Sequence, residues 1–365
     1  MADNDKQSGE SDDGLFGQSL AGLLWSGLQK GGGAAISVVV HIVLARLLLP
    51  KHFGLVALAN VALAFIGLLK DQGFGVAIIQ RDELEDLHLD VALWTVVAIG
   101  LALAGIGYAA APLAARAFEE PKLEAVLRVL VFTVPIASAA SIPHAILKRE
   151  MRFKALSLRT LIAHSIAGAI AIGLALYGWG VWALVVDSFV ANVVGTVVLW
   201  MACDWWPRLR YSKKHLYDLF SFGANITGQK ILNFVNRQAD DLIVGYFLGT
   251  KALGYYTVAY EILKGMTDLL SRTMTNVALP AFSRLQNDID RLRPAFLGAV
   301  RTTAMVAFPV FLLFVVVAPE LFTVLYKPKW APAVPAARVL AFIGVLHAIA
   351  LFNPPVLKAL GKPSW

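Results

Sequence analysis

The sequence contains few charged residues and only one cysteine. Of its residues, 16% are charged and 58% are hydrophobic, and the mean hydropathy is +0.66. Soluble domains carry about 25% charged residues, so this composition excludes an ordinary soluble domain of this length. The single cysteine, Cys203, excludes a disulfide framework and a cluster of thiolate metal ligands.

The sequence also lacks the short motifs of common catalytic sites. It has no Walker A phosphate loop, no H-E-x-x-H zinc motif, no G-x-S-x-G nucleophile elbow and no EF-hand spacing. Residues 1–21 are polar and acidic, without the apolar core of a signal peptide, and are predicted to be a disordered cytoplasmic tail. We therefore expect a chain that is not an enzyme and that holds no cofactor and no metal.

Long apolar stretches fill most of the remaining chain and predict an all-α, polytopic transmembrane helix bundle. Each bilayer crossing takes about 20 apolar residues, so the length allows about ten spans joined by short loops. The predicted spans are near residues 22–47, 53–70, 89–111, 123–146, 157–177, 180–202, 217–248, 252–282, 295–317 and 335–358.

Basic residues are concentrated in alternate loops. The loops after even-numbered spans hold about twice as many Lys and Arg as the loops after odd-numbered spans. This bias places the even-numbered loops and the N-terminus in the cytoplasm. We therefore expect a multi-pass protein of the bacterial inner (cytoplasmic) membrane. The net charge of +7 follows from these loops, and no nucleic-acid partner is expected because no soluble module presents a basic face.

The chain repeats itself when it is shifted by about 200 residues, as in parallel-repeat transporters. In this register Gln29-Lys30 falls on Gln229-Lys230, and Gly54 falls on Gly254. The repeat predicts an N-lobe at residues 22–206, with spans one to six, and a C-lobe at residues 207–365, with spans seven to ten. Because the second lobe has fewer spans, we expect it to be truncated.

Polar and charged residues recur at three- and four-residue steps along spans seven and eight, so each set lies on one helix face. A charge at mid-bilayer costs about 2.5–3.5 kcal/mol on insertion scales, so these stripes are not expected to face lipid. Two interpretations remain: an internal ion-pair network, or a hydrated groove for a polar or anionic substrate. The isolated residues His41, His164 and Asp187 are expected to bond to neighbouring helices.

Several stretches occur together in an order that resembles the polysaccharide exporters of the multidrug/oligosaccharidyl-lipid/polysaccharide (MOP) flippase superfamily, most closely the WzxC-like translocases. They are Gly73-Phe74-Gly75-Val76-Ala77-Ile78-Ile79-Gln80, Leu147-Lys148-Arg149-Glu150-Met151-Arg152-Phe153, Gly180-Val181-Trp182-Ala183-Leu184-Val185, Asn236-Arg237-Gln238-Ala239-Asp240-Asp241, Leu253-Gly254-Tyr255-Tyr256, Pro280-Ala281-Phe282-Ser283-Arg284 and Trp330-Ala331-Pro332-Ala333.

The resemblance implies two MATE-like helix bundles around a central, cationic cavity. It implies that the chain flips an undecaprenyl-diphosphate-linked oligosaccharide across the inner membrane for lipopolysaccharide or exopolysaccharide biosynthesis, by alternating access coupled to an ion gradient. The expected partners are that lipid-linked oligosaccharide, membrane lipids, and the polysaccharide polymerase and chain-length machinery.

Combined with the in-span positions, this resemblance assigns three sets of site residues. The cationic, substrate-binding set is Lys30, Lys230, Arg237, Lys264 and Arg272. The polar lining of the cavity is Gln29, Asn225, Gln229, Asn233 and Asn236. The candidates for ion coupling are Asp240, Asp241, Glu261 and Asp268.

Two alternatives to a flippase follow from the same residues. A drug/cation antiporter of the same superfamily would need a cavity dominated by acidic and aromatic groups, whereas the spans here also carry Arg and Lys. A membrane-embedded glycan polymerase or ligase would need a long outer loop with catalytic residues. The longest predicted outer loop, residues 318–334, holds only Glu320, Lys327 and Lys329 as charged residues.

Overall fold

The computed structural model describes residues 32–33, 35–70, 73–81, 83–217, 227–286 and 288–360, and no strand occurs among them. The helices, numbered in chain order, are α1 (Ala35–Leu47), α2 (Pro50–Lys70), α3 (Phe74–Gln80), α4 (Asp86–Ala117), α5 (Pro121–Leu130), α6 (Thr133–Arg149), α7 (Phe153–Leu176), α8 (Val181–Ala202), α9 (Thr227–Arg284), α10 (Ile289–Leu321), α11 (Val334–Ala350) and α12 (Asn353–Ala359).

Among the described residues, 7 helical segments are long and apolar enough to cross a membrane. Each coincides with a predicted span, and the chain is a multi-pass membrane protein. The charged helix α9 contains residues 227–248 of the predicted seventh span and all of the predicted eighth span, and it is interrupted at Gly249, whose φ is +78°. Only α1 represents the predicted first span within the described residues, so the total of about ten spans stays a prediction.

The predicted fourth span is divided into α5 and α6 by a turn at Val131 and Phe132. Pro135 explains the break, because its ring clashes with the carbonyl four residues earlier, which belongs to Val131. The Thr133 hydroxyl donates to the Leu130 carbonyl at 2.6 Å and satisfies one of the acceptors at the end of α5.

Helices α7 and α8 form a closely packed hairpin. On α7, Ala163, Ala167, Ala171 and Ala175 are buried at four-residue intervals, which gives the small-residue face that lets membrane helices approach closely. The tight turn between the two helices needs glycine at Gly178 (φ +83°) and Gly180 (φ +59°). A Cβ on Gly180 would also lie 3.2 Å from the His52 ring.

The chain divides after Thr250 into two compact units, next to the break at Gly249. In the first unit, α4 and α6 pack where Gly100 faces Ser138; a Cβ on Gly100 would lie 2.2 Å from the Ser138 hydroxyl oxygen. The predicted boundary between an N-lobe and a C-lobe, at residues 206–207, stays a prediction.

The second unit is built on the pairing of α10 with α11. Trp330, in the 3-10 turn Pro328–Ala333, is fully buried and contacts the rings of Tyr255 and Tyr326, with centroid distances of 5.9 and 6.1 Å. Tyr255 and Trp330 come from two of the stretches that carry the family resemblance, so part of that pattern reflects packing.

Candidate functional site

The structure does not describe several of the predicted site residues. Gln29, Lys30 and Asn225 are not among the described residues. The side chains of Gln229, Lys230, Asn233 and Arg272 are also outside the description, although their backbone belongs to α9. Their predicted roles in substrate binding and cavity lining stay predictions.

The predicted residues that are described fall on α9, on both sides of its break. Asn236 and Arg237 are exposed, and Asp240 and Asp241 are half-buried, in the first unit. Glu261, Lys264 and Asp268 are exposed in the second unit. The Lys264 ammonium lies 3.7 Å from the Glu261 carboxylate, which is one of the intrahelical pairs expected from the spacing. Whether the two stripes face each other stays a prediction.

The structure brings together three polar residues that the sequence shows as isolated. His41 on α1, His164 on α7 and Asp187 on α8 line one pocket of about 60 Å³, together with Ser37. A polar pocket of this size is large enough to hold water, and imidazole and carboxyl groups around it can pass a proton. Sequence spacing could not show this grouping, because the three residues come from three separate helices.

A second polar pocket, of about 120 Å³, surrounds Arg159. This residue lies in the second turn of α7 and faces α6 and α8. Its pocket partners are His144, Asn192 and Thr196. A guanidinium held among hydrogen-bonding groups at the edge of a membrane bundle is suited to an anion such as a phosphate.

A cavity with a volume of about 740 Å³ opens at the end of the first unit where α7 turns into α8. Its lining combines aromatic and charged groups: Lys51, His52, Glu120, Lys122, Trp179 and Trp182. The Thr250 hydroxyl donates to the Glu120 carboxylate at 2.5 Å and holds it at the rim. Indole faces beside charged hydrogen-bonding groups suit a polar, ring-shaped ligand such as a sugar.

The basic segment 148–154 has partners within the protein. The Arg149 guanidinium donates to the carbonyls of Ile78, at 2.7 Å, and Arg81, and so satisfies acceptors at the end of α3. Arg152 pairs with Asp204 at 2.6 Å. Arg149 and Ile78 belong to two of the stretches shared with the exporter family.

Comparison with known proteins identifies relatives over most of the chain. The succinoglycan biosynthesis transport protein ExoT of Rhizobium meliloti (strain 1021) is 28% identical over 342 residues, which covers 93% of this chain and 68% of ExoT. The lipopolysaccharide biosynthesis protein WzxC of Escherichia coli (strain K12) is 23% identical over 338 residues, covering 91% of this chain and 68% of WzxC.

Two kinds of solved structure share the fold. The lipid II flippase MurJ, in an inward closed conformation, matches with a TM-score of 0.73 at 14% identity, over 93% of this chain and 76% of MurJ. An inward-facing MATE family transporter of the MOP superfamily matches with a TM-score of 0.67 at 16% identity, over 91% of this chain and 82% of that chain. At such identities the likeness concerns the fold, and it confirms the predicted MATE/MOP-like helical bundle.

A family model described as "Polysaccharide biosynthesis protein" matches residues 43–335. This range includes the three pockets described above, apart from a few residues of α1, and all of α9 and α10. The resemblance predicted from the sequence is thereby confirmed. The chain belongs to the polysaccharide biosynthesis protein family.

Proposed function

We propose that this protein translocates a lipid-linked oligosaccharide across the bacterial inner membrane for the assembly of a surface polysaccharide. The proposal rests on one observation: this member of the family has cationic and hydrogen-bonding pockets between its apolar helices. The names of the relatives ExoT and WzxC support it, since they describe succinoglycan transport and lipopolysaccharide biosynthesis.

The chemistry of the substrate matches the three kinds of group that the chain provides. A diphosphate between lipid and sugar needs Arg or Lys to balance its charge, and Arg237, Lys264 and Arg159 are such cations in or beside the spans. The sugars need indole faces and hydrogen-bonding groups, as around Trp179 and Trp182. The prenyl chain can remain in the lipid bilayer, so no free energy is needed to transfer it to another environment.

Translocation proceeds by alternating access and is coupled to an ion gradient, with the N-terminus in the cytoplasm. Asp240, Asp241, Glu261 and Asp268 stay the candidates from the sequence, and the pocket of His41, His164 and Asp187 adds a further group for proton binding. Export that remains fully dependent on the gradient after Asp240, Asp241, Glu261 and Asp268 are all changed to amides would rule out the first assignment. The polymerase and chain-length machinery are expected partners in the same membrane.

The test measures polymer export in a host strain that lacks the gene and carries the protein in trans. Arg159→Gln should reduce export at least about tenfold, because the bound phosphate loses a charge-assisted hydrogen bond, which contributes about 1.5–3 kcal/mol. Arg159→Lys should retain part of the export, since it keeps the charge but loses the planar donor array. Combined neutralisation of Arg237 and Lys264 should abolish export while leaving the amount of protein in the membrane unchanged.

Arg293→Gln is the control, because Arg293 is an exposed cation outside the three pockets. It should leave export within about twofold of the wild type. Normal export in both Arg159→Gln and the Arg237/Lys264 double variant would refute the proposed cationic site. A strain that keeps normal export but loses resistance to cationic drugs would favour the antiporter alternative.

A further inference from the structure

A cluster of metal-ligating side chains lies outside the pockets, where the segment after α8 meets the start of α4. Glu85 precedes α4, His88 is in its first turn, and His215 comes from the short helix at residues 213–217. One ligand atom from each of the three residues lies within 4.8 Å of the other two. His88 is buried and Glu85 is exposed, so the cluster sits at the edge of the bundle.

The distances within the cluster are close to those of a metal site. Ligand atoms about 2.0–2.2 Å from a tetrahedral zinc ion lie about 3.3–3.6 Å from one another. The His215 Nε2 is 3.5 Å from the Glu85 carboxylate oxygen, and the rings of His88 and His215 have their centroids 4.4 Å apart. All three ligand atoms lie within 4.8 Å of one another, so side-chain rotation has to shorten the longer separations for one ion to bond all three.

The second nitrogen of each imidazole is already engaged. The His215 Nδ1 lies 2.8 Å from the Ser212 hydroxyl, a partner of the kind that orients a metal-binding histidine. The His88 Nδ1 accepts a hydrogen bond from the Glu85 backbone N–H at 3.3 Å. Ligation through the His88 Nε2 gives up this one long hydrogen bond and moves the ring proton to Nδ1.

The two segments that carry the ligands are held together by contacts that do not involve the cluster. The buried Asp90 carboxylate accepts from the Arg208 backbone N–H at 2.9 Å and from the Arg210 Nε at 3.0 Å. The Trp94 Nε1 donates to the Arg208 carbonyl at 3.0 Å. The ligands are thereby pre-positioned, which lowers the entropic cost of binding an ion.

From this geometry we propose that Glu85, His88 and His215 bind a divalent transition-metal ion, with Zn²⁺ as the best match. Two imidazoles and one carboxylate form a known zinc ligand set, and a water molecule completes the tetrahedron. The bound ion ties residues 207–217, the link to the predicted second lobe, to the start of α4. The site is independent of the substrate that the protein transports, so its test needs no transport assay.

The experiment uses the purified full chain, free of any polyhistidine tag, in detergent or lipid nanodiscs. Zn²⁺ binding is measured by titration calorimetry, and Co²⁺ is added separately as a spectroscopic probe. The wild type should bind one Zn²⁺ per chain and show the visible absorption of tetrahedral Co²⁺. Hydrogen exchange in peptides that cover residues 207–217 should slow when Zn²⁺ is added.

Each ligand has a conservative replacement that spares the local structure. Glu85→Gln and His88→Gln keep groups that can form the capping box at the start of α4, and His215→Gln keeps a polar side chain. Each should weaken Zn²⁺ binding at least about tenfold and abolish the effect of Zn²⁺ on hydrogen exchange. His347→Gln, at an exposed histidine of α11, is the matched control and should bind Zn²⁺ like the wild type.

Equal Zn²⁺ affinity in the wild type and in His215→Gln would overturn the proposal. An equal loss of Zn²⁺ affinity in His347→Gln would also overturn it, because it would show that Zn²⁺ binding is not confined to this cluster. Zn²⁺ that binds to the wild type without slowing exchange in residues 207–217 would refute its role in tying the two segments together.

Discussion

Asp90 is expected to hold the segment that follows α8 against α4 through hydrogen bonds. Its carboxylate is fully buried and is hydrogen-bonded to the backbone N–H of Arg208 and to the side chain of Arg210. Asp90→Asn keeps the size of the side chain but removes its charge. The amide nitrogen of the new side chain is itself a donor, and it must face either the Arg208 backbone N–H or the Arg210 Nε, which both need an acceptor. One hydrogen bond is therefore lost, and the other is weakened because its acceptor is no longer charged.

The size of the effect follows from these contacts. A hydrogen bond to a charged group contributes about 1.5–3 kcal/mol. The Arg210 side chain is 43% exposed, so water screens that pair and the lower part of the range applies. A loss of about 2 kcal/mol corresponds to about a 30-fold rise in the population of the undocked segment, since about 1.4 kcal/mol is a factor of ten.

Hydrogen exchange followed by mass spectrometry measures this population in peptides covering residues 204–217, with EDTA present to exclude metal. Exchange in Asp90→Asn should be about 30-fold faster than in the wild type. Asp204→Asn is the control, because the Arg152–Asp204 pair has exposed side chains (38% and 88%) and contributes about 0–1 kcal/mol. An Asp90→Asn rate within about threefold of the wild type, or equal rates in both variants, would refute the reasoning.

Two further changes test packing and coupling. Gly100→Ala should destabilise the protein by about 1–3 kcal/mol, seen as a lower unfolding temperature in detergent, because its Cβ would collide with Ser138. Gly105→Ala on the same helix meets no atom within 4 Å and should unfold near the wild-type temperature; equal losses in both would contradict this packing argument. Asp187→Asn should leave the protein folded but reduce the response of export to a protonophore, and a wild-type response would argue against a proton site there.

The spans were predictable because the bilayer imposes a length and a composition on each of them. The predicted stretch 180–202 agrees closely with Val181–Ala202, and 157–177 with Phe153–Leu176. The division of residues 121–149 into two helices was missed, although Pro135 provided a local signal for it. The start of α7 was placed too late, at residue 157 instead of Phe153.

The family resemblance was readable from short stretches because they keep their order along the chain. What these stretches do was visible only in the structure: Arg149 satisfies carbonyls at the end of α3, and Tyr255 packs on Trp330. Several of the shared residues are therefore structural, and their presence in the sequence did not distinguish packing from substrate binding.

By itself, the sequence determined that this is a helical, multi-pass membrane protein and predicted charged residues in its seventh and eighth spans, because hydropathy and charge are local properties of the chain. Only the tertiary structure decided which polar residues meet. His41, His164 and Asp187 share one pocket. His215 lies next to Glu85 in space, although most of the first unit separates them along the chain. Such groupings depend on how the helices pack and on where the chain turns back, and residue spacing along one helix contains neither.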